Sequence, residues 1–262
     1  MNKKIKNLNR EATNESGVRP DFMYKNILDQ KRYINALNFV HEKKILDCAC
    51  GVGWGSYIMA NSGADHVTGI DLSDAAISTA KKYYNHASVL YVHNDINNLD
   101  SKFDVITSFE TIEHVENPLD FLKILAKLSH TETALFLSTP NGFCFKNKDD
   151  LPYNPYHNEE YTKEELCVLF DLSGWTVEEY KGQYLMKNDS QDIIKYRSFI
   201  RKFWLDKIRS DKFGIIYNLL GRVVRRLIGE TIQDPAHKGD CSPVKVPKGY
   251  QPAYHYFRLK LK

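Results

Sequence analysis

The sequence has no long apolar run and no paired cysteines, and both absences narrow the class of protein. No stretch of the 262 residues approaches the roughly 18 consecutive apolar residues that a membrane-spanning helix needs. The basic segment 1–10 lacks the apolar core of a signal peptide, so we expect a cytoplasmic protein. The five cysteines form no C-x-x-C pair and no zinc-binding spacing, which indicates free thiols in a reducing compartment.

A strong charge of either sign is also missing. The 36 basic and 33 acidic residues give a net charge of +3, which is too small to indicate a nucleic-acid partner. The length predicts a single domain over 1–262. We divide it into an N-terminal arm with cap helices at 1–40, a core at 41–182, a basic helical insertion or lid at 183–249 and a final strand at 250–262.

Short apolar runs alternate with amphipathic helical segments through the core. Six strands are predicted at 44–49, 66–70, 88–92, 103–109, 133–138 and 175–180, and a seventh at 253–261. Strands that alternate regularly with helices are typical of an α/β fold with a doubly wound, mostly parallel sheet. A capping box at Thr162 and Glu165 predicts the start of the helix before the sixth strand.

A glycine-dense turn follows the first predicted strand, with glycines at 51, 53 and 55. The third glycine of G-x-G-x-x-G is missing, because Ser56 stands there, and no Gly-Lys-Ser/Thr follows. The turn is therefore neither a dinucleotide fingerprint nor a nucleoside triphosphate loop. Asp47, just before the turn, would repel phosphate but suits a ligand that carries an ammonium or sulfonium group.

Two further acids fall at the ends of predicted strands. Asp71 lies 20 positions after Gly51, where an acid can accept both hydroxyls of a ribose. Asp95 follows the third strand and could reach an adenine amino group, with Ile96 against the ring. Each acid alone could equally be a cap or turn residue. A ligand with a ribose, an adenine and a cationic amino-acid tail but no phosphate fits the set, and S-adenosylmethionine is that ligand.

The ordered motifs LDCACGVGWG, VTGIDLS, NDI and FDVITSFETIEH resemble class I S-adenosylmethionine-dependent methyltransferases over roughly residues 40–182. The resemblance implies a Rossmann-like seven-stranded fold and an enzyme that uses S-adenosylmethionine. It also implies that Phe109 lies beside the sulfonium and that Arg32 closes over the cofactor carboxylate. The predicted cofactor-binding residues are Arg32, Asp47, Gly51, Gly53, Asp71, Leu72, Asp95, Ile96 and Phe109.

Three ionisable side chains follow the fourth predicted strand: Glu110, Glu113 and His114. Their i, i+3 and i, i+4 spacing would place them on one face of a helical turn. His157, in the long Pro-, Asn- and Tyr-rich connection at 139–161, is expected to face them. Methyl transfer needs an aligned acceptor, and an oxygen acceptor also needs its proton removed. We predict Glu110, His114 and His157 as catalytic residues.

The same four residues allow two kinds of chemistry. Glu110, Glu113, His114 and His157 could hold Mg²⁺ or Mn²⁺. The pattern E-x-x-E-H with a distant histidine resembles methyltransferases of ubiquinone precursors and of the 2′-hydroxyl at small-RNA ends, which implies a divalent metal. Relatives with no known metal share the pattern, and there the glutamates would brace the helix while His114 acts as a base. A His157 that points away from Glu110 would argue against the metal.

The basic residues are concentrated in one segment, since 187–249 carries a net charge of +7. Within it, 213–229 has the spacing of a basic amphipathic helix. Such a helix suits an anionic acceptor, peripheral contact with a membrane surface or a second subunit, and it could also be a lid with a solvated basic face. Tyr153, Tyr156 and Tyr161 could form the wall of an acceptor pocket or only pack the loop.

We therefore predict a cytoplasmic O-methyltransferase of a small acceptor, either sugar-like or phosphorylated. Segments 139–141 and 154–162 resemble methyltransferases of surface-polysaccharide clusters, which implies a role in bacterial capsule or lipopolysaccharide biosynthesis. The alternatives are an amino-sugar N-methyltransferase and a metal-dependent RNA 2′-O-methyltransferase. A non-catalytic cofactor-binding module would tolerate loss of the 110–114 set, and that set is intact.

Overall fold

The computed structural model describes residues 27–145, 154, 156–187 and 241–262. The chain forms two compact units, one that ends at Leu99 and one that begins at Asp100. The expected arm at 1–20, the basic helix at 213–229 and Tyr153 lie outside the described residues. The division of 1–262 into a single domain with an arm, core, insertion and final strand stays a prediction.

The first unit is a parallel three-stranded sheet with interleaved helices. Its elements are α1 (Ile27–Ala36), β1 (Lys44–Cys48), α2 (Trp54–Asn61), β2 (His66–Asp71), α3 (Asp74–Tyr83) and β3 (Val89–His93), with short 3-10 turns at Leu37–Phe39 and Ile96–Asn98. β2 lies between β1 and β3 and is parallel to both. The interiors of β1 and β2 are buried, which is typical of parallel strands that are covered on both faces.

The second unit is a four-stranded mixed sheet. Its elements are β4 (Phe103–Phe109), a 3-10 turn (Ile112–His114), α4 (Pro118–Lys127), β5 (Ser129–Pro140), α5 (Gly142–Phe145), α6 (Lys163–Leu172), β6 (Trp175–Lys187) and β7 (Tyr250–Leu261). β4 is parallel to β5, and β7 is antiparallel to both β5 and β6. The predicted seven-stranded, mostly parallel α/β fold is confirmed.

Local sequence signals set most of the helix starts. Ser73 caps α3, because its Oγ accepts a hydrogen bond from the Ala76 amide at 3.2 Å. The predicted capping box of α6 is present, with reciprocal hydrogen bonds between Thr162 and Glu165. Among the described residues, none of the helices is both long and apolar enough to span a bilayer.

Two strands are longer than the sequence predicts. β5 covers Ser129–Pro140 instead of 133–138, and β6 covers Trp175–Lys187 instead of 175–180. The C-terminal extension of β5 and the extension of β6 pair with β7, whose register with β6 runs from Leu261 opposite Trp175 to Tyr250 opposite Lys187. At its other end, β5 begins at Ser129, which pairs with Phe103 of β4. Residues 183–187, assigned above to the insertion, therefore belong to β6. Cross-strand pairing, which a single segment does not reveal, is the reason for the difference.

The helix α1 is fixed against the start of α2 through Tyr33. The Tyr33 ring makes an edge-to-face contact with Trp54 at 5.9 Å between centroids. A β-carbon added at Gly55 would lie 2.1 Å from atoms of the Tyr33 ring. Gly55 is therefore required by close approach of the ring and not by its backbone conformation.

The substitution Gly55→Ala should lower the free energy of unfolding by about 1–3 kcal/mol, because the new methyl overlaps the Tyr33 ring. In a Tyr33→Ala background the same change should be neutral or stabilising, since alanine is favoured over glycine in a helix. Urea unfolding of the four proteins of this double-mutant cycle measures the coupling. Equal costs of Gly55→Ala in both backgrounds would contradict the packing.

A buried imidazole makes the stability of the second unit sensitive to acid. His255 of β7 has no exposed surface, and its Nδ1 lies 3.0 Å from the Tyr180 hydroxyl. Burial lowers the pKa of His255 to about 3. The unfolded chain has an ordinary histidine pKa near 6.5, so below that pH it binds a proton that the folded chain does not. Stability contributed by a neutral His255 is therefore lost as pH falls below about 6.5.

The variant His255→Asn should reduce this acid sensitivity, because asparagine does not titrate. Between pH 7 and 5 the parent should lose about 2 kcal/mol more of its unfolding free energy than the variant loses. Urea unfolding at several pH values gives the two slopes. His41→Asn, at a largely exposed imidazole, is the matched control. Parallel pH curves for His255→Asn and the parent would argue against the assignment.

Candidate functional site

The turn after β1 is built from residues with left-handed backbone conformations. Ala49, Gly51 and Gly53 have φ angles of 57°, 55° and 86°. The Cys50 amide donates to the Ile70 carbonyl at 3.0 Å, and the Gly53 amide donates to the Cys50 carbonyl at 3.1 Å. A β-carbon at Gly53 would lie 2.6 Å from the β-carbon of Ala80, so this glycine also allows α3 to approach.

Asp71 links the turns that follow β1 and β2. Its Oδ2 accepts a hydrogen bond from the Gly51 amide at 2.8 Å, and its Oδ1 accepts one from the Ser73 amide at 2.8 Å. The carboxylate is partly exposed, and the neighbouring Leu72 side chain is 71% exposed. Each carboxylate oxygen has a second lone pair, so Asp71 can still accept hydrogen bonds from a ligand.

Asp95 caps the 3-10 turn that follows β3. Its Oδ1 accepts hydrogen bonds from the Asn97 amide at 2.8 Å and from Asn97 Nδ2 at 2.6 Å. The capping alternative is therefore realised, although Asp95 and Ile96 are only half-buried. Because β1, β2 and β3 are parallel neighbours, the glycine turn, Asp71 and Asp95 all lie at one edge of the sheet of the first unit.

The environment of Asp47 does not match the prediction that its carboxylate contacts a cationic ligand directly. The residue is completely buried, its Oδ1 accepts from Tyr33 Oη at 2.9 Å, and its Oδ2 accepts from Ser56 Oγ at 2.6 Å. Burial, and then the Asp47 charge, raises the pKa of Tyr33, so the phenol stays protonated and donates. Asp47 acts as an internal brace that connects β1 with α1 and α2.

Arg32 precedes Tyr33 on α1 and is also buried. Its side chain is 1% exposed and forms an ion pair with Asp29 at 2.5 Å. The Tyr33–Asp47 hydrogen bond fixes the helix and thereby the position of Arg32. Contact between Arg32 and a cofactor carboxylate stays a prediction.

Glu110 stands apart from the helical turn that was expected to include it. It has a φ angle of 51°, its amide donates to the Ser138 carbonyl at 3.0 Å, and its Oε1 accepts from Ser138 Oγ at 2.9 Å. The 3-10 turn begins only at Ile112. The expected single helical face with Glu110, Glu113 and His114 is therefore wrong, because the chain leaves β4 through a left-handed residue.

Glu113, His114 and His157 do come together. Each of the three offers a ligand atom, and these atoms all lie within 4.8 Å of one another. The two imidazole rings meet edge to face with centroids 4.7 Å apart. The structure thus brings three of the four predicted metal ligands into one group, and Glu110 is not part of it.

The loop that carries His157 is hydrogen-bonded directly to this turn. The Asn158 amide donates to the Glu113 carbonyl, and Asn158 Nδ2 donates to the His114 carbonyl, both at 2.8 Å. The Glu113 side chain is 1% exposed, and its Oε2 accepts from Thr139 Oγ1 at 2.9 Å. Asn158 was not singled out from the sequence, because no local pattern marks its partners.

Hydrogen bonds at Nδ1 favour one tautomer of both imidazoles. His114 Nδ1 lies 2.8 Å from the Tyr156 carbonyl oxygen, which can only accept, so this nitrogen carries the proton. His157 Nδ1 lies 2.6 Å from Glu160 Oε1. Burial lowers the pKa of His114, and burial lowers the pKa of His157 to about 4. Both rings are therefore neutral near pH 7, and His114 carries its lone pair on Nε2.

The predicted aromatic residues have different environments. Phe109 is 8% exposed and stacks on Tyr256 of β7, with ring centroids 5.9 Å apart. Tyr161 is buried and bridges to Asn141 beside the end of β5, and burial raises its pKa to about 12. Tyr156 is 65% exposed, so it is the better candidate of these rings for contact with an acceptor.

The sequence between 22 and 180, more than half of the chain, matches the family model described as "Methyltransferase domain". The chain belongs to the class I S-adenosylmethionine-dependent methyltransferases. A mitochondrial ubiquinone biosynthesis O-methyltransferase of Schizosaccharomyces pombe is 43% identical, over 67% of this chain and 66% of that protein. A probable S-adenosylmethionine-dependent methyltransferase of Mycolicibacterium smegmatis is 28% identical, over 54% of this chain and 55% of that protein.

The chain thus spans about half the length of the Mycolicibacterium relative. A solved S-adenosylmethionine-dependent methyltransferase of Thiobacillus denitrificans, in complex with S-adenosylhomocysteine, is similar at a TM-score of 0.52 and 18% identity. That similarity covers 100% of this chain and 99% of the other. At this level of identity it supports the methyltransferase fold alone.

The variant Asp71→Ala should weaken S-adenosylmethionine binding by about 10- to 100-fold. It removes a charged acceptor and releases the Gly51 and Ser73 amides, and hydrogen bonds to a charged group contribute about 1.5–3 kcal/mol. Isothermal titration calorimetry measures the dissociation constant. Asp74→Ala, three residues on at an exposed carboxylate, should bind like the parent. Unchanged binding by Asp71→Ala would remove this residue from the cofactor site.

Proposed function

We propose that this methyltransferase transfers a methyl group from S-adenosylmethionine to an oxygen of a small sugar-like or phosphorylated acceptor in the bacterial cytoplasm. The observation that carries the proposal is the group formed by Glu113, His114 and His157. Two neutral imidazoles beside a buried carboxylate are suited to remove a proton from a hydroxyl. An amine acceptor would need only orientation, so this group favours oxygen over nitrogen.

The first unit provides all the proposed residues for the methyl donor except Phe109, which lies at the end of β4. In this proposal the turn with Gly51 and Gly53 faces the methionine part, and Asp71 with Leu72 binds the ribose. Asp95 reaches the adenine amino group, and Ile96 lies against the ring. The partial exposure of Asp71, Asp95 and Ile96 supports these roles, because a ligand needs accessible surface. Asp47 contributes indirectly, through α1 and α2.

Activation of the acceptor by the chain itself would use the Nε2 lone pairs. His114 is exposed and accepts the proton of the acceptor hydroxyl at Nε2, while its Nδ1–H donates a hydrogen bond to the Tyr156 carbonyl. His157 offers a second Nε2 lone pair in the same group and is the alternative acceptor for that proton. Glu113 remains ionised to stabilise the protonated imidazole. Glu110, fixed on Ser138, stays a candidate for acceptor binding.

The same donors also fit a divalent metal ion. Two imidazole nitrogens and one carboxylate oxygen within 4.8 Å suit Mn²⁺ better than Mg²⁺, because Mg²⁺ prefers oxygen ligands. Both histidines have Nδ1 held by an oxygen acceptor, as is usual for metal-bound imidazole. A bound ion would supply Lewis-acid chemistry that lowers the pKa of the acceptor hydroxyl. Glu113, His114 and His157 would hold it.

The acceptor class follows from sequence features of the loop and the insertion. Segments 139–141 and 154–162 resemble surface-polysaccharide methyltransferases, and the net charge of +7 at 187–249 suits an anionic acceptor. The relatives named ubiquinone biosynthesis O-methyltransferases favour a second candidate, a phenolic oxygen. Release of S-adenosylhomocysteine with nucleotide-sugars, phosphorylated metabolites and catechols as probes distinguishes these classes. Turnover with catechols alone would refute the surface-glycan assignment.

His157→Asn and Glu113→Gln should each lower kcat with the active acceptor by at least about 100-fold, because each removes a member of the activating group. S-adenosylmethionine binding should be unchanged, since its proposed residues, apart from Phe109 on β4, lie in the first unit. His41→Asn, at an exposed site, is the matched control. Parental kcat in His157→Asn would refute the proposed role of this group.

Chelation tests whether turnover requires a divalent metal ion. If an ion is held by this group, EDTA should abolish turnover and Mn²⁺ should restore it in the parent but not in Glu113→Gln. Turnover that persists after exhaustive chelation, with the metal content verified by mass spectrometry, would leave the imidazoles as the base. Both results are compatible with an O-methyltransferase. They distinguish activation of the acceptor by a metal ion from activation by an imidazole base.

A further inference from the structure

Glu160 is a completely buried carboxylate to which the reaction above gives no role. Its side chain has no exposed surface, and its Oε1 lies 2.6 Å from His157 Nδ1. The His157 side chain is 10% exposed. Burial of a carboxylate is costly unless hydrogen bonds compensate it. A glutamate at this position therefore needs an explanation other than packing.

The backbone around Glu160 is anchored independently of His157. The Gly142 amide donates to the Tyr161 carbonyl at 2.9 Å, and Asn141 bridges to Tyr161 beside the end of β5. A β-carbon at Gly142 would lie 2.4 Å from the Glu160 carbonyl oxygen, so this glycine lets the two segments approach closely. Glu160 is thus a fixed point from which its side chain can orient a neighbour.

His157, by contrast, depends on side-chain contacts for its ring orientation. Its backbone amide donates to the Asn154 carbonyl at 3.1 Å, which sets the turn but not the ring. The ring meets His114 edge to face, and its Nδ1 is hydrogen-bonded to Glu160. The second of these is directional and distinguishes Nδ1 from Nε2.

We propose that Glu160 is a positioning residue that accepts the Nδ1 proton of His157 and so directs the Nε2 lone pair toward Glu113 and His114. The inference rests on the proposed function and adds a residue to it. It holds for both chemistries, because a base and a metal ligand each require an unprotonated Nε2. Hydrogen-bonded partners of this kind commonly contribute 10- to 100-fold in activity.

Kinetics of three variants test the role. Glu160→Ala should lower kcat by about 10- to 100-fold and leave the dissociation constant of S-adenosylmethionine unchanged. Glu160→Gln keeps an oxygen acceptor and should recover part of the loss. Glu164→Gln, at an exposed glutamate of α6, is the matched control and should have parental kcat. A folded Glu160→Ala with parental kcat would overturn the proposal.

The imidazole tautomer of the parent protein tests the geometry without a measurement of activity. Long-range proton–nitrogen correlation spectra of the parent, with His157 assigned through His157→Asn, should show a protonated Nδ1 and an unprotonated Nε2. A protonated Nε2 would overturn the proposal. If His157→Asn lowers kcat while Glu160→Ala does not, the positioning role alone fails. If His157→Asn has parental kcat, the proposed function fails.

Discussion

A carboxylate that is removed from water must find hydrogen-bond donors within the protein, and Asp47 finds two of them in Tyr33 and Ser56. Tyr33 belongs to α1 and Ser56 to α2, so one buried charge attaches both helices to the end of β1. Gly55 has no side chain because the Tyr33 ring occupies that space. Arg32 directly precedes Tyr33 on α1, so its position depends on the same Tyr33–Asp47 hydrogen bond.

The second unit uses buried carboxylates in a related way. Glu113 accepts from Thr139, and Glu160 lies beside His157 Nδ1. Neither carboxylate is exposed, although glutamate is usually a surface residue. Buried acids that hold other side chains in place reduce the freedom of those side chains before any ligand arrives. A preorganised group of this kind needs less rearrangement when the acceptor binds.

The sequence predicted the fold well where the signal was local. Strands buried on both faces are rich in apolar and β-branched residues, so β1, β2 and β4 were placed within a residue or two. The C-terminal ends of β5 and β6 were missed because they are defined by pairing with β7, which is distant in the sequence. Thr162 was found because the other residue of its capping box, Glu165, lies three residues away.

The residues of the candidate site were likewise predicted correctly where the sequence signal is local and missed where it is not. Strand ends and a glycine turn are visible in the sequence. Asp71 and Asp95 were therefore placed at the ends of their strands, where the structure has them. The partners of Asp47 depend on which side chain of α1 reaches β1, and the left-handed backbone at Glu110 has no sequence signal. His157 meets His114 only because Asn158 fixes the loop to the helical turn.

This arrangement separates recognition of the donor from choice of the acceptor. The predicted donor residues follow strands whose positions are determined by the buried core. The group formed by Glu113, His114 and His157 depends on a loop whose Asn158 donates from its amide to the Glu113 carbonyl and from its side chain to the His114 carbonyl. Loops vary in sequence more than the strands that they connect. The family can therefore be identified from the strand ends alone, whereas the acceptor must be inferred from the loop and tested by experiment.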